Sequence, residues 1–103
     1  MSRELLPQRR RSETFEFSDG KVAYTATIGF YEDGRPGEIF LSAGKAGTLI
    51  HTYVRDGAIA ISFALQHGCS VEAIRTAFTR NSDGVPEGPL GILMDMLINR
   101  KRN

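Results

Sequence analysis

Lys45 stands in the run Ser42-Ala-Gly-Lys-Ala-Gly-Thr48, and a glycine-framed lysine ahead of an apolar helix is an arrangement that can hold an anion. Backbone N–H groups at a helix start point toward such a ligand, and the ammonium adds a point charge. The run is not a Walker A motif. Gly37 and Gly44 have six residues between them rather than four, and Ala46 follows the lysine where Ser or Thr would hold magnesium. A second reading needs no ligand: Gly44 and Gly47 turn a strand into a helix and let the two approach closely. The corner is the stronger of the two readings.

Other reactive side chains form no constellation. His51 and His67 lie sixteen residues apart, in the first and last turns of one expected helix, so they cannot share a metal. His51 can reach a ligand over the Lys45 loop or be an ordinary surface histidine; His67 is placed to interact with the dipole at a helix end. Ser42, Thr48 and Ser70 have no histidine and carboxylate at a recognisable spacing, so nucleophilic catalysis has no support. Glu32 and Asp33 are turn residues first. Cys69 is the single cysteine, which excludes an internal disulfide and a cysteine-based zinc site within one chain. Flanked by Gly68 and Ser70, it reads as a small packing residue. No cofactor or metal site is expected.

These residues belong to a chain of 103 residues, 41% hydrophobic and 24% charged, a composition that suits one ordinary globular domain with a thin core. No apolar run approaches the ~20 residues needed to cross a bilayer, and no apolar h-region follows the charges of residues 1–11. A cytoplasmic protein with no membrane partner is the expectation. The net charge of +1 is unevenly spread. Arg3, Arg9, Arg10, Arg11, Arg100, Lys101 and Arg102 stand against Glu4 alone, a balance of +6, while residues 13–99 carry −5. Basic ends of this kind either contact phosphate backbones, with steep salt dependence, or act as solvated tails.

The elements follow from periodicity. Residues 1–12 show no apolar repeat and read as a flexible basic arm, and residues 100–103 as a basic tail, around one domain over 13–99. Thr14 to Ser18 alternates as a half-buried strand, and Asp19-Gly20 supplies a tight turn. From residue 21 to 31, Val22, Tyr24, Ala26, Ile28 and Phe30 share one face of a long strand, with Thr25, Thr27 and Tyr31 opposite. A second turn leads to a strand over 37–42, in which Ile39 and Leu41 face away from Glu38, Phe40 and Ser42. The period then becomes helical. Ile50, Val54, Ala58, Ile61 and Leu65, widened by Ile59 and Phe63, give a helix over 48–67 that ends at Gly68. Ser70 caps a short helix over 70–80, and Leu90, Leu93, Met94, Leu97 and Ile98 mark a last one over 88–99. Three strands (13–18, 21–31, 37–42) followed by three helices predict an α+β fold, an antiparallel meander with helices on one face.

The other sheet face carries Phe40, and Tyr31 and Tyr24 are further candidates for an exposed aromatic surface. Such a face serves a partner or is covered by a second copy; a homodimer would enlarge the core of so short a chain. Here the residues carry a resemblance. The run Glu32-Asp-Gly-Arg-Pro-Gly-Glu-Ile-Phe40, then Gly44-Lys-Ala-Gly47, then Ile-Ser-Phe-Ala-Leu-Gln-His-Gly68 and Val-Glu-Ala-Ile74, resembles the TSCPD domain. That domain occurs near the C-terminus of adenosylcobalamin-dependent (class II) ribonucleotide reductases and as small stand-alone proteins. The similarity spans about residues 24–97.

The departures limit what the resemblance implies. Pro86-Glu-Gly-Pro-Leu90 stands where the family has Thr-Ser-Cys-Pro-Asp, so Gly88 replaces one cysteine, and a second family cysteine falls near Asn81. Any thiol-dependent metal or redox role is lost with them. Ribonucleotide reduction needs a radical source, a cysteine radical and a reducing cysteine pair, and one cysteine cannot supply the set. The leading expectation is a non-catalytic module for protein–protein contacts, tied to a reductase or DNA-metabolism setting by family analogy alone. Its candidate surface is Arg35, Phe40, Lys45 and His51. The runner-up is a nucleic-acid-binding accessory using Arg9, Arg10, Arg11, Lys45, Arg100, Lys101 and Arg102 as phosphate contacts, with Arg35 as a further one. An enzyme comes last.

Overall fold

The computed structural model describes residues 2–44 and 47–100, so Lys45, Lys101 and Arg102 lie outside the described residues. Strands β1 (Ser12–Ser18), β2 (Ala23–Phe30) and β3 (Pro36–Ala43) form one antiparallel sheet in the order β1-β2-β3. Helices α1 (Leu49–Gln66), α2 (Val71–Ala77) and α3 (Pro89–Arg100) follow. The fold is the expected α+β meander and three helices.

The inner sheet face is set by the period of two: Tyr24, Ala26, Ile28 and Phe30 of β2 and Ile39, Leu41 and Ala43 of β3 are all buried. They share one core with Val54, Ala58, Ile61 and Leu65 of α1 and with Leu93, Met94 and Leu97 of α3. Each of those large side chains contributes about 1.5–3 kcal/mol by leaving water. Gly57 lets α3 come close to α1, because a Cβ there would collide with the Leu90 side chain. Tyr24 is only 1% exposed, so it belongs to the core and not to the open face. Its hydroxyl donates to Asp19 (2.9 Å), and burial, helped by that carboxylate, pushes its pKa up to about 12.

Several boundaries differ from expectation for local reasons. The first turn passes through Gly20 and Lys21 rather than Asp19-Gly20: Asp19 N–H reaches the Val22 carbonyl, and the Asp19 carboxylate accepts from the N–H groups of Lys21 and Val22. A register irregularity at Gly29/Phe30 ends β2 before Tyr31, which is buried instead of open. Helix α2 stops at Ala77 rather than near residue 80, because Phe78 turns extended and Arg80 pairs with Pro86 in a small hairpin. Asn81 builds that hairpin, accepting from Asp83 and Val85 N–H through its side chain. Asp95 of α3 then locks it, accepting from Arg75 (2.8 Å) and Arg80 (2.7 Å).

Helix α1 is bounded as its ends foretell, with Thr48 accepting from His51 N–H and Gly68 at φ +99° just past the C-terminus. Its widened apolar face does not follow expectation. Ile50, Ile59 and Phe63 are exposed, because the three-stranded sheet is too narrow to cover more than the 54-58-61-65 stripe. The helix also covers part of the free edge of β3. Ser62 Oγ accepts from Ile39 N–H (2.8 Å) and donates to the Ile39 carbonyl, while buried Gln66 donates to the Gly37 carbonyl (2.7 Å).

Residues 2–11, expected as a flexible arm, lie against this same corner. Glu4 N–H donates to the Gln66 carbonyl (2.7 Å), Arg3 to the Gln66 side chain (2.6 Å), and the Tyr31 hydroxyl to the Glu4 carbonyl. Leu6 and Tyr31 together fill the space a Cβ on Gly37 would take, at 2.7 and 2.6 Å. That packing accounts for the burial of Tyr31.

Candidate functional site

The outer sheet face is polar except at one point. Register sets Ser12, Gly29 and Glu38 in one row, Thr14, Thr27 and Phe40 in the next, and Glu16, Thr25 and Ser42 in the third. Phe40 alone is large and apolar there, and it is 58% exposed. Beside it, α1 runs along the border of β3 and presents the side chains that point away from the core. His51, Arg55 and Ile59 follow one another at a spacing of four, which places them on one flank of the helix.

Between strand and helix lies an open groove of about 300 Å³. Its walls are Thr25, Thr27, Phe40 and Ser42 on the sheet side and His51, Arg55 and Ile59 on the helix side, and the core residues Ile39 and Leu41 also contribute to its lining. Ile59 is 46% exposed. The groove thus offers an apolar pair, a row of hydroxyls from Thr25, Thr27 and Ser42, and two basic groups. Among the described residues it has no nucleophile paired with a base. Among the described residues, no three His, Cys, Asp or Glu side chains stand close enough to hold a metal.

Of the expected surface residues, the structure brings Phe40 and His51 together in this groove and puts Arg35 elsewhere. Arg35 bonds Glu4 (2.9 Å) and Asp33 (2.7 Å) and stacks over Tyr31 at 4.6 Å. Its hydrogen bonds to Glu4 and then Asp33 raise its pKa, so its charge is already committed. Lys45 lies outside the described residues, but the corner around it is visible: Gly44 and Gly47 take φ of +49° and +87°, a region that suits glycine. Arg55 was not among the expected residues. Its place four residues from both His51 and Ile59 is the signal that would have found it.

The expected phosphate contacts are dispersed. Arg10 bonds Glu38, and that hydrogen bond raises its pKa; Arg11 lies 4.6 Å over the Phe30 ring. Arg9 is exposed, and Arg100 ends α3. A shared phosphate-binding surface does not emerge among the described residues.

Fold and groove define a small α+β module with a mixed apolar and basic groove and no catalytic constellation among the described residues. Residues 2–100 match the TSCPD domain, and the chain belongs to that family. It is 38% identical over 77 residues to a vitamin B12-dependent ribonucleotide reductase of Rhodopirellula baltica, covering 75% of this chain and 7% of that protein. The reductases of Bradyrhizobium diazoefficiens and Agrobacterium fabrum match at 36% and 39% identity, again over 75% of this chain and 6% of each relative. The chain therefore spans less than a tenth of the length of these curated relatives. No solved structure matches. No helix among the described residues is long and apolar enough to cross a membrane.

Proposed function

We propose that this TSCPD chain is a non-catalytic binding module that acts through protein–protein contacts, with the Phe40 groove as its contact surface. One observation carries the reading: exposed apolar side chains from two different elements, Phe40 of β3 and Ile59 of α1, converge on one groove. Exposed clusters of this kind mark partner sites on small soluble domains. The reductase relatives supply the setting by analogy, a large enzyme or its DNA-metabolism context, within the cytoplasm. A nucleic-acid accessory role has less support, since Arg3, Arg10, Arg11 and Arg35 are engaged within the chain.

The test is affinity capture with the tagged wild type and with Phe40→Asp, followed by reconstitution of any specific partner from purified components. Phe40 is exposed, so the variant should fold, which circular dichroism and thermal melting will verify. A partner recovered by the wild type and depleted by about tenfold or more in the variant is expected, as for the loss of an interface anchor. Equal recovery by both chains would remove the groove from the interface.

A further inference from the structure

The groove also indicates the chemistry of what it receives. Its charged or titratable lining residues among those described are His51 and Arg55, and no described carboxylate lines it. Arg55 makes no hydrogen bond or ion pair with any described residue, in contrast to Arg3, Arg10, Arg35, Arg75 and Arg80. A guanidinium with no partner among the described residues, lining an apolar groove that also carries hydroxyls, is complementary to an anion attached to an apolar group.

We propose that the groove binds an acidic apolar peptide segment, with an apolar side chain between Phe40 and Ile59 and a neighbouring carboxylate accepting from Arg55. This inference rests on the binding-module reading. Thr25 and Ser42 face each other across β2 and β3, so their hydroxyls can pair with the peptide's backbone. Polyanions fit less well. Glu16 occupies the same row as Thr25 and Ser42, and Glu38 flanks Phe40 on the other side with its charge taken by Arg10. A strand of phosphates crossing this face would meet the Glu16 carboxylate at one end and, at the other, an Arg10 already paired with Glu38. A second copy also fits poorly, since an isologous contact centred here would bring Arg55 toward its own equivalent with no acid to receive either.

The decisive experiment titrates the ¹⁵N-labelled full chain with three probes: N-acetyl-phenylalanyl-aspartate amide, its asparagine counterpart, and a ten-nucleotide oligothymidine. The aspartate probe should perturb the backbone amides of Phe40, Ser42, His51, Arg55 and Ile59, with affinity on the order of tenfold above the asparagine probe. Arg55→Gln should erase that difference and leave the residual apolar binding. Equal affinity for the two dipeptides, or perturbation centred away from the groove, would overturn the proposal. So would oligothymidine acting on the same amides more strongly than the aspartate probe. If the dipeptides bind equally while Phe40→Asp still loses its partner in capture, the acidic preference alone is lost. If Phe40→Asp retains every partner, the module reading fails, and this inference with it.

Discussion

Arginines at two regions of this molecule carry the same formal charge and opposite availability. At the corner formed by residues 2–11, the start of β3 and the end of α1, every described guanidinium but that of exposed Arg9 meets an internal partner: Arg3 bonds Gln66 and lies 4.7 Å over Phe63, Arg10 bonds Glu38, Arg11 covers Phe30, and Arg35 bridges Glu4 and Asp33. On the opposite stretch of α1, Arg55 meets none among the described residues. Counting charges along the chain points to the basic ends as the place where anions bind. Among the described arginines of the N-terminal end that weighting is lowered, because a cation already paired must give up its partner before it can serve another.

The sharpest way to break the contrast is to release the engaged corner. Gln66→Leu removes the donor to the buried Gly37 carbonyl and the acceptor for Arg3. A buried acceptor left unpaired costs about 1–3 kcal/mol, and the lost Arg3 contact adds to it, so a destabilisation of about 2 kcal/mol or more is expected in urea unfolding. Trypsin should then cleave after Arg3, Arg9, Arg10 and Arg11 faster in the variant. Unchanged cleavage would mean that these arginines are not held by Gln66.

A second engaged site, distant from the first, tests whether pairing is structural throughout. Asp95 accepts from Arg80 and Arg75, and the Arg80 hydrogen bond holds its carboxyl below the ordinary 3.8. A carboxyl depressed in the folded state contributes stability that is complete above the ordinary value and is lost as pH falls through the folded one. Asp95→Asn should cost about 1–2 kcal/mol at pH 7. It should also flatten the decline in urea midpoint that the wild type shows below about pH 4. A parallel decline in both chains would assign the acid sensitivity to other groups.

Much of the fold was legible because period and punctuation agree. The alternation of Tyr24, Ala26, Ile28 and Phe30, the cap at Ser70 and the stop at Gly68 each answer to local chemistry that the chain itself carries. What was not legible depends on how much sheet there is to cover a helix. Ile59 and Phe63 look like core on an α1 wheel, yet three strands bury one narrow stripe, so both remain outside. Tyr31 errs the other way, an exposed residue by alternation that Leu6 and Gly37 enclose. The candidate site was half readable. Phe40 and His51 could be named from their strand and helix positions, but Arg35 could not be discounted without seeing Glu4, thirty-one residues away, reach it. Arg55 drew no notice, since an arginine on a helix surface stands out only when its neighbours prove to be an exposed phenylalanine and isoleucine.

The smallest expected effect is the one that most directly defines the free region. Arg55→Gln removes a full charge from α1 yet breaks no hydrogen bond or ion pair with any described residue. Glutamine is nearly as good a helix former as arginine, so propensity contributes little, and a surface change without a partner ordinarily stays within about 0.5 kcal/mol. The urea midpoint and slope should therefore match the wild type, in contrast to Gln66→Leu and Asp95→Asn. A loss above about 1 kcal/mol would show that Arg55 has an intramolecular role in the folded chain, and would place it with the engaged arginines. Stability held constant while the preference for an aspartate-bearing probe disappears is the combination that separates a cation kept for a ligand from one kept for the fold.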